Sequence, residues 1–136
     1  MKYLLDTCTL SYFFRKDLRI VANFKKHLAQ DLCLSSITGM EIEYGLKLHQ
    51  EREIKLRPTW EELKRIITVI PFGEEEASCA GSLRAYLKEK GKPIGPYDLL
   101  IGSTAKVNHL ILVTSNVKEF SHIPSLKIQD WREEIL

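Results

Sequence analysis

Short apolar runs alternate with longer stretches of helical periodicity along the chain. Four of these runs have the length and residue types of buried strands, and a weaker fifth follows near the end. The predicted strands are Lys2–Asp6, Leu32–Ser35, Ile67–Pro71, Leu110–Thr114 and the region Leu126–Gln129. Strands that alternate with helices form parallel sheets covered on both faces. The pattern therefore predicts an α/β fold with a central parallel sheet of four or five strands.

The segments between the strands carry helical spacing and helix-terminal signals. Helices are predicted over Thr9–Arg15, Leu18–Leu28, a segment after the second strand, Glu51–Ile67, Glu74–Lys90 and Pro96–Asn108. In the second helix, helical spacing relates Ile20, Val21, Phe24 and Leu28. Within the fourth, Pro58 and the acidic residues after it resemble a new helix start.

The third predicted helix directly follows the second strand. Ser36 or Thr38 can cap its first turn through a side-chain oxygen. Met40, Tyr44 and Leu48 recur at four-residue intervals, so they mark one face of this helix.

Length and composition narrow the class of protein without identifying a partner. A chain of 136 residues is most simply one domain, spanning residues 1–136. With 44% hydrophobic and 28% charged residues the composition is that of an ordinary globular protein, and a net charge of +2 does not by itself indicate nucleic-acid binding. No run approaches the roughly 20 apolar residues of a membrane span, so we expect no membrane contact and a cytoplasmic location.

The cysteines provide no metal site or disulfide framework. Cys8, Cys33 and Cys79 are odd in number, widely separated and without zinc-ligand spacing. Such cysteines indicate free thiols in a reducing compartment. We expect Cys33 and Cys79 to pack in the core.

Three acidic residues lie in separate segments that the predicted fold brings together. Asp6 ends the first strand, Glu41 opens the third helix, and Asp98 lies just inside the last predicted helix. In a parallel sheet, ligands bind beyond the carboxyl ends of the strands. Carboxylates gathered there repel one another unless a cation neutralises them, and Mg²⁺ prefers oxygen ligands. This arrangement indicates metal-assisted hydrolysis of phosphodiesters.

Each carboxylate also has a purely structural interpretation. Asp6 is placed to cap the helix after it, and first-turn acids such as Glu41 and Asp98 stabilise a helix dipole. Glu43 lies two residues after Glu41 and faces roughly the opposite way, so at most one of them points to the site. We expect that residue to be Glu41, with Glu43 solvated or ion-paired. An unpaired carboxylate beside the apolar run Leu99–Ile101 is costly, which favours a metal-ligand role for Asp98.

Further polar groups fall at the same predicted edge of the sheet. Thr7 supplies a hydroxyl directly after the first strand. Asn116, after the fourth strand, could bind a cation through its amide oxygen or order the turn. Glu119 could complete the acidic cluster or face solvent, and the sequence does not choose between these alternatives.

Four segments, in this order and spacing, resemble the PIN-domain ribonucleases, and most closely the VapC toxins of type II toxin–antitoxin pairs. The segments are Tyr3–Thr7, Ser36–Gly45, Gly95–Ile101 and Leu112–Phe120. The resemblance spans nearly the whole chain and implies a three-layer α/β/α PIN-like fold. It also implies a Mg²⁺- or Mn²⁺-dependent ribonuclease, a homodimer, and a cognate VapB-type antitoxin that inserts into the active groove.

The same resemblance assigns residues to the site. The catalytic residues it implies are Asp6, Glu41, Asp98 and Glu119. The metal ligands it implies are Asp6 and Asp98. Asn116 stands near the position where some members carry the fourth acid, and Cys8 replaces an asparagine that the family often has two residues after the first acid. The residues expected to orient the scissile phosphate are Thr7, Ser115 and Asn116.

Three other functions compete with this one. A structure-specific DNA nuclease of the PIN-like group would use the same acids, although no long insertion is present to thread a DNA flap. A catalytically inactive PIN module would only bind RNA or protein, which the altered fourth acid position motivates. A phosphoryl-accepting receiver domain would need paired acids at the end of the first strand, and Asp6 has no acidic neighbour.

Overall fold

Five short parallel strands form the central sheet of the computed structural model, which describes residues 1–133. They are β1 (Tyr3–Leu5), β2 (Leu32–Ser35), β3 (Thr68–Ile70), β4 (Ile111–Val113) and β5 (Ile128–Gln129). Each strand pairs in parallel with its neighbours, in the order β3-β2-β1-β4-β5. The predicted parallel sheet is therefore confirmed, including its weak fifth strand.

Helices cover both faces of this sheet. They are α1 (Thr7–Phe14), α2 (Leu18–Lys26), α3 (Ser36–Lys47), α4 (Gln50–Ile66), α5 (Glu74–Glu89), α6 (Pro96–Val107) and α7 (Val117–Phe120). Leu4 and Leu112 pack in one apolar cluster with α5 and α6, whereas Leu5 and Val113 pack in a second cluster with α1 to α4. Adjacent residues of β1 and β4 thus face opposite layers, which produces the three-layer α/β/α arrangement. Within residues 1–133, no helix is long and apolar enough to cross a membrane.

The strand order creates a crevice beyond the carboxyl end of β1. From β1 the chain adds β2 and β3 on one side, and it later adds β4 and β5 on the other. The segments that follow β1 and β4 are adjacent at this point, since the Asp6 N–H donates to the Val113 carbonyl at 3.1 Å. Such a reversal of strand order is where α/β proteins bind ligands.

Helix α2 is shorter than the sequence predicts. It ends at Lys26, because His27 has extended backbone angles (φ −113°, ψ 150°). Leu28 therefore leaves the predicted helical face and is 63% exposed. Asn23 takes a buried position on that helix instead, where its side-chain amide donates to the Trp131 carbonyl at 3.0 Å.

Helix α3 begins earlier than either predicted N-cap allows, and apolar residues lie on two of its faces. Its N-cap is Ser35, whose hydroxyl accepts the Ile37 N–H at 2.9 Å. Neither Ser36 nor Thr38 caps the helix, and the Ser36 hydroxyl accepts the Phe72 N–H instead. The exposed face carries Met40, Tyr44 and Leu48. The buried face carries Thr38, Ile42 and Leu46. Apolar spacing alone did not reveal which face packs, because two apolar stripes run along this helix.

Helix α4 continues through Pro58, so the prediction of a new helix start there is wrong. Proline has no N–H to donate to the carbonyl four residues earlier, which here belongs to Ile54. Ile54 is 70% exposed, so water can bind that carbonyl. The helix tolerates the proline because the interruption lies on its solvent side.

Candidate active site

Asp6 lies at the centre of the carboxyl edge, directly after β1. Its side chain caps α1 by accepting the Thr9 N–H at 2.8 Å. The residue is 2% exposed, and this burial raises the pKa of its carboxyl group, while hydrogen bonds from Thr114 and Thr9 oppose the rise. The nearby Glu41 carboxylate raises the pKa further. Asp6 therefore serves as a helix cap and also belongs to an acidic cluster.

Glu41 reaches this edge from α3. The Thr7 hydroxyl donates to Glu41 Oε1 at 2.6 Å, and the Thr38 hydroxyl lies 3.2 Å from the same Thr7 oxygen. Thr7 follows Asp6 in sequence, so this bond ties the first helical turn of α1 to α3. It holds the Glu41 carboxylate close to Asp6.

Glu43 is directed to the opposite side of α3. Its Oε2 accepts hydrogen bonds from Arg57 Nη1 and Trp60 Nε1, both at 2.7 Å. Its Oε1 accepts from Lys47 Nζ at 2.9 Å. These bonds, with the Arg57 guanidinium first, hold the pKa of Glu43 well below its usual range. The prediction that Glu43 is ion-paired is confirmed.

Asp98 lies in the first turn of α6 and is half-buried. Burial raises its pKa to about 6, and the charges of Asp6, Glu119 and Glu41 each contribute to the rise. Asn116 Nδ2 donates to Asp98 Oδ2 at 3.3 Å, which opposes it. The structure therefore brings the other three predicted acids, Asp6, Glu41 and Glu119, within electrostatic range of Asp98.

Glu119 does not simply face solvent. It is half-buried on α7, and its Oε1 accepts the Gly95 N–H at 2.7 Å. Gly95 is the N-cap of α6, so this bond joins the segment after β4 to the helix that carries Asp98. Glu119 thus interacts electrostatically with Asp98 of the acidic cluster, and its hydrogen bond to Gly95 connects it to α6.

The groups predicted to orient a phosphate all bond to carboxylates of the chain itself. Thr7 and Asn116 bond to the acids described above. The Ser115 hydroxyl donates to Asp130 Oδ1 at 3.1 Å, in the segment after β5. In this structure these side chains position acidic groups, and their contact with a phosphate stays a prediction.

Metal binding by the acidic cluster stays a prediction from the sequence. Within residues 1–133, no group of three or more His, Cys, Asp or Glu side chains is arranged so that it could hold a metal ion. The donors in the cluster are all carboxylates, however. Their burial and mutual repulsion disfavour the ionised forms, and a bound cation would offset both effects. Mg²⁺ keeps several of its own waters, so few protein ligands are needed.

A groove of about 310 Å³ opens beside Glu41, between α1, α3 and α4. Its lining includes the cationic side chains of Arg15 and Arg52 and the apolar side chains of Phe14 and Leu46. Arginine side chains donate hydrogen bonds in a geometry that matches carboxylate and phosphate groups.

Two groups in the site had no assigned role in the sequence analysis. The side chain of Thr114 lowers the pKa of Asp6, and the Gly95 N–H donates to Glu119. Thr114 follows β4 as Asp6 follows β1, and the pairing of Leu5 with Val113 makes the two neighbours. The strand order and register were the missing information. A glycine directly before the helix-opening proline was the available signal for Gly95.

Comparison with known proteins places this architecture in a family. The sequence profile described as the PIN domain matches residues 3–126, so the chain belongs to the PIN-domain family. The PIN-like fold expected from the sequence is therefore confirmed.

Curated relatives and solved structures define the group within that family. The tRNA(fMet)-specific endonuclease VapC of Salmonella typhimurium is 35% identical over 132 residues, 96% of this chain and 98% of that protein. Ribonuclease VapC2 of Haemophilus influenzae is 33% identical over 132 residues, with the same 96% and 98% coverage. The crystal structure of DNA-bound VapBC from Salmonella typhimurium contains a chain with TM-score 0.89 and 34% identity, covering 96% of this chain and 98% of that one. This chain is thus a member of the VapC group of nucleases.

Proposed function

We propose that this chain is the toxin of a type II toxin–antitoxin pair and acts in the cytoplasm as a Mg²⁺- or Mn²⁺-dependent endoribonuclease. The observation that carries the proposal is the convergence of four carboxylates at the carboxyl edge of β1 and β4, in a VapC-type fold. Burial and mutual repulsion raise the pKa of Asp6 and of Asp98. Keeping such groups together has a cost in stability, which a catalytic metal site would explain.

The proposed roles are those that the family resemblance implies. Asp6 and Asp98 would bind the metal, and Glu41 would complete the coordination shell directly or through water. A divalent ion bound there supplies Lewis acidity and a water of lowered pKa. Thr7 holds Glu41 at 2.6 Å, and Asn116 holds Asp98 at 3.3 Å, so both keep the acids oriented before substrate arrives.

RNA is the proposed substrate, since the relatives named above are an endonuclease of tRNA(fMet) and a ribonuclease. Initiator tRNA is therefore the first RNA to test. Arg15 and Arg52 in the groove beside Glu41 are positioned to contact the phosphate backbone.

A cognate VapB-type antitoxin and a homodimeric state complete the proposal. Support for the antitoxin comes from solved relatives that are VapBC assemblies, including VapBC-1 from nontypeable Haemophilus influenzae, with TM-score 0.85 and 32% identity. The homodimer rests on the family resemblance. An apolar cavity of about 790 Å³ between α5 and α6, lined by Leu87, Ile94 and Leu99 among others, offers a surface for the second copy.

The test compares ligand and non-ligand acids in the purified toxin. We expect Asp6→Asn and Asp98→Asn to lower Mg²⁺-dependent RNA cleavage roughly 100-fold or more, because each removes a ligand charge while keeping an oxygen and the side-chain volume. Glu43→Gln is the matched control and should cleave RNA at the wild-type rate while folded. Far-UV circular dichroism checks that each variant is folded. An Asp98→Asn variant with full activity would refute its assignment.

The same assay separates the rival functions. Cleavage of branched DNA in preference to single-stranded RNA would favour a structure-specific DNA nuclease. Failure of the antitoxin-free protein to bind Mn²⁺ or cleave either nucleic acid would favour an inactive binding module.

A further inference from the structure

The hydrogen bond between Glu119 and Gly95 links two segments that both border the acidic cluster. Glu119 Oε1 lies 2.7 Å from the Gly95 nitrogen, which donates to it. A bond of this length from a backbone N–H to a carboxylate is charge-assisted and is among the stronger hydrogen bonds in proteins. Gly95 is the N-cap of α6, and among residues 1–133 no side chain caps that helix. Glu119 therefore supplies an anchor that the local sequence of α6 lacks.

This anchor lies one helical turn before Asp98. The Gly95 carbonyl accepts the Leu99 N–H at 2.9 Å, which closes the first turn of α6 around Asp98. Fixing the Gly95 N–H on one side and its carbonyl on the other leaves that peptide segment little freedom to rotate. From the same segment after β4, Asn116 contacts the Asp98 carboxylate directly. The segment after β4 thus binds both the backbone at the start of α6, through Glu119, and the side chain of Asp98, through Asn116.

We propose that Glu119 is a positioning residue: its carboxylate holds the Gly95 amide and so keeps the first turn of α6 oriented with Asp98 toward Asp6. This inference rests on the proposed nuclease function, in which Asp98 is a metal ligand, and it changes the role that the sequence gave Glu119. The Gly95 amide needs an acceptor oxygen, whereas a metal ligand needs a negative charge. Glutamine keeps the acceptor and loses the charge, so one substitution separates the two roles.

The experiment compares Glu119→Gln, Glu119→Ala and, as a control on an exposed helix end, Glu89→Ala. Three quantities are measured: hydrogen exchange of the Gly95 amide in metal-free protein, Mn²⁺ affinity by calorimetry, and the rate of RNA cleavage. In Glu119→Ala, losing the bond should speed Gly95 exchange about tenfold, the factor that corresponds to 1.4 kcal/mol of local opening. Cleavage should fall with it.

Glu119→Gln should largely restore what alanine removes. We expect its Gly95 exchange and its Mn²⁺ dissociation constant to stay within about threefold of wild type, since a neutral acceptor keeps roughly half the strength of the bond. Glu89→Ala should match wild type in all three measurements.

The proposal is overturned if Glu119→Gln loses Mn²⁺ affinity and cleavage as severely as Glu119→Ala while Gly95 exchange stays slow, because Glu119 is then a ligand. It is also overturned if Gly95 exchange is unchanged in Glu119→Ala. If the wild-type protein neither binds Mn²⁺ nor cleaves RNA but Gly95 exchange still depends on Glu119, the nuclease proposal fails and the anchor stands.

Discussion

Removing the carboxylate of Glu43 should destabilise the protein without impairing the site. Glu43 accepts the Nε1–H of Trp60, a side chain only 1% exposed, and it pairs with Arg57 and Lys47. Arg57 keeps two other acidic partners when Glu43 is lost. The main cost of Glu43→Ala is therefore a buried indole N–H without an acceptor.

The magnitude follows from these contacts. An unsatisfied buried donor costs about 1–3 kcal/mol, and each partly exposed ion pair adds about 0.2–1 kcal/mol. We expect Glu43→Ala to lower the free energy of unfolding by about 2–4 kcal/mol. Glu43→Gln, which can still accept the Trp60 N–H, should lose about 1–2 kcal/mol, because a neutral acceptor is weaker and the ion pairs are gone. For a chain of this length, each kcal/mol corresponds to a change in Tm of about 3–5 °C.

Urea unfolding followed by far-UV circular dichroism measures the change, and Glu62→Ala is the control, since Glu62 pairs only at the surface with Arg65. The pH dependence is a second readout. The pKa of Glu43 is lowered in the fold, so its stabilising contribution is present above the unfolded value of about 4.5 and is lost as pH falls below it. In Glu43→Gln, the free energy of unfolding should therefore fall less steeply as the pH is lowered below about 4.5.

Two results would refute this account. If Glu43→Ala were as stable as the Glu62→Ala control, the bond to Trp60 would contribute nothing. If folded Glu43→Gln lost RNA cleavage at 25 °C, Glu43 rather than Glu41 would belong to the acidic site.

Three further predictions concern the site and the core. Mg²⁺ should raise the Tm more at pH 7.5 than at pH 5.0. The fold raises the pKa of Asp98 from its ordinary 3.8 to about 6, so stability is lost as the pH rises between these two values. A bound cation offsets that loss at pH 7.5, whereas protons compete with the cation at pH 5.0; equal shifts in scanning fluorimetry would contradict this. Gly102→Ala should lower the free energy of unfolding by about 1–3 kcal/mol through overpacking, because the added Cβ would lie 2.5 Å from Ile123 Cδ1. Gly81→Ala is the control: open space surrounds that position, so its free energy of unfolding in the same urea assay should be unchanged or higher. Arg52→Ala should raise KM for RNA several-fold with little change in kcat and a weaker dependence on salt; an unchanged KM would remove Arg52 from the substrate path.

The sheet and the identity of the acids were predictable because their signals are local. A buried strand ending in a polar residue is visible at Leu4–Asp6, and a helix start is visible at Pro96. From these, the parallel sheet places Asp6 and Asp98 at one edge without knowledge of side-chain contacts. Helical geometry predicted that at most one of Glu41 and Glu43 points to the site, and the structure agrees. The choice of Glu41 rested on a place in the first turn of its helix, which is wrong: α3 begins at Ser36, so Glu41 lies in the second turn and still reaches the edge.

The contacts that the sequence could not supply are those between distant segments. The ring of His27 stacks on Trp131 at 4.7 Å between centroids, with 11° between the planes. The partner lies about a hundred residues away, and no local pattern encodes the pair. The hydrogen bond from Gly95 to Glu119 also joins residues far apart in the sequence, so no local pattern encodes it either. Whether a helix passes through Pro58 also depended on which side of α4 meets solvent, which is set by packing.

The acids of the cluster come from positions 6, 41, 98 and 119, near both ends and the middle of the chain. During synthesis, a polypeptide that has not yet emerged from the ribosome past α7 lacks Glu119, and one that has not emerged past α6 also lacks Asp98. The acidic cluster of the proposed nuclease consequently forms only after residue 119 has been synthesised. Under the proposed function, a fragment that stops before α6 would lack Asp98 and Glu119 and would not cleave RNA.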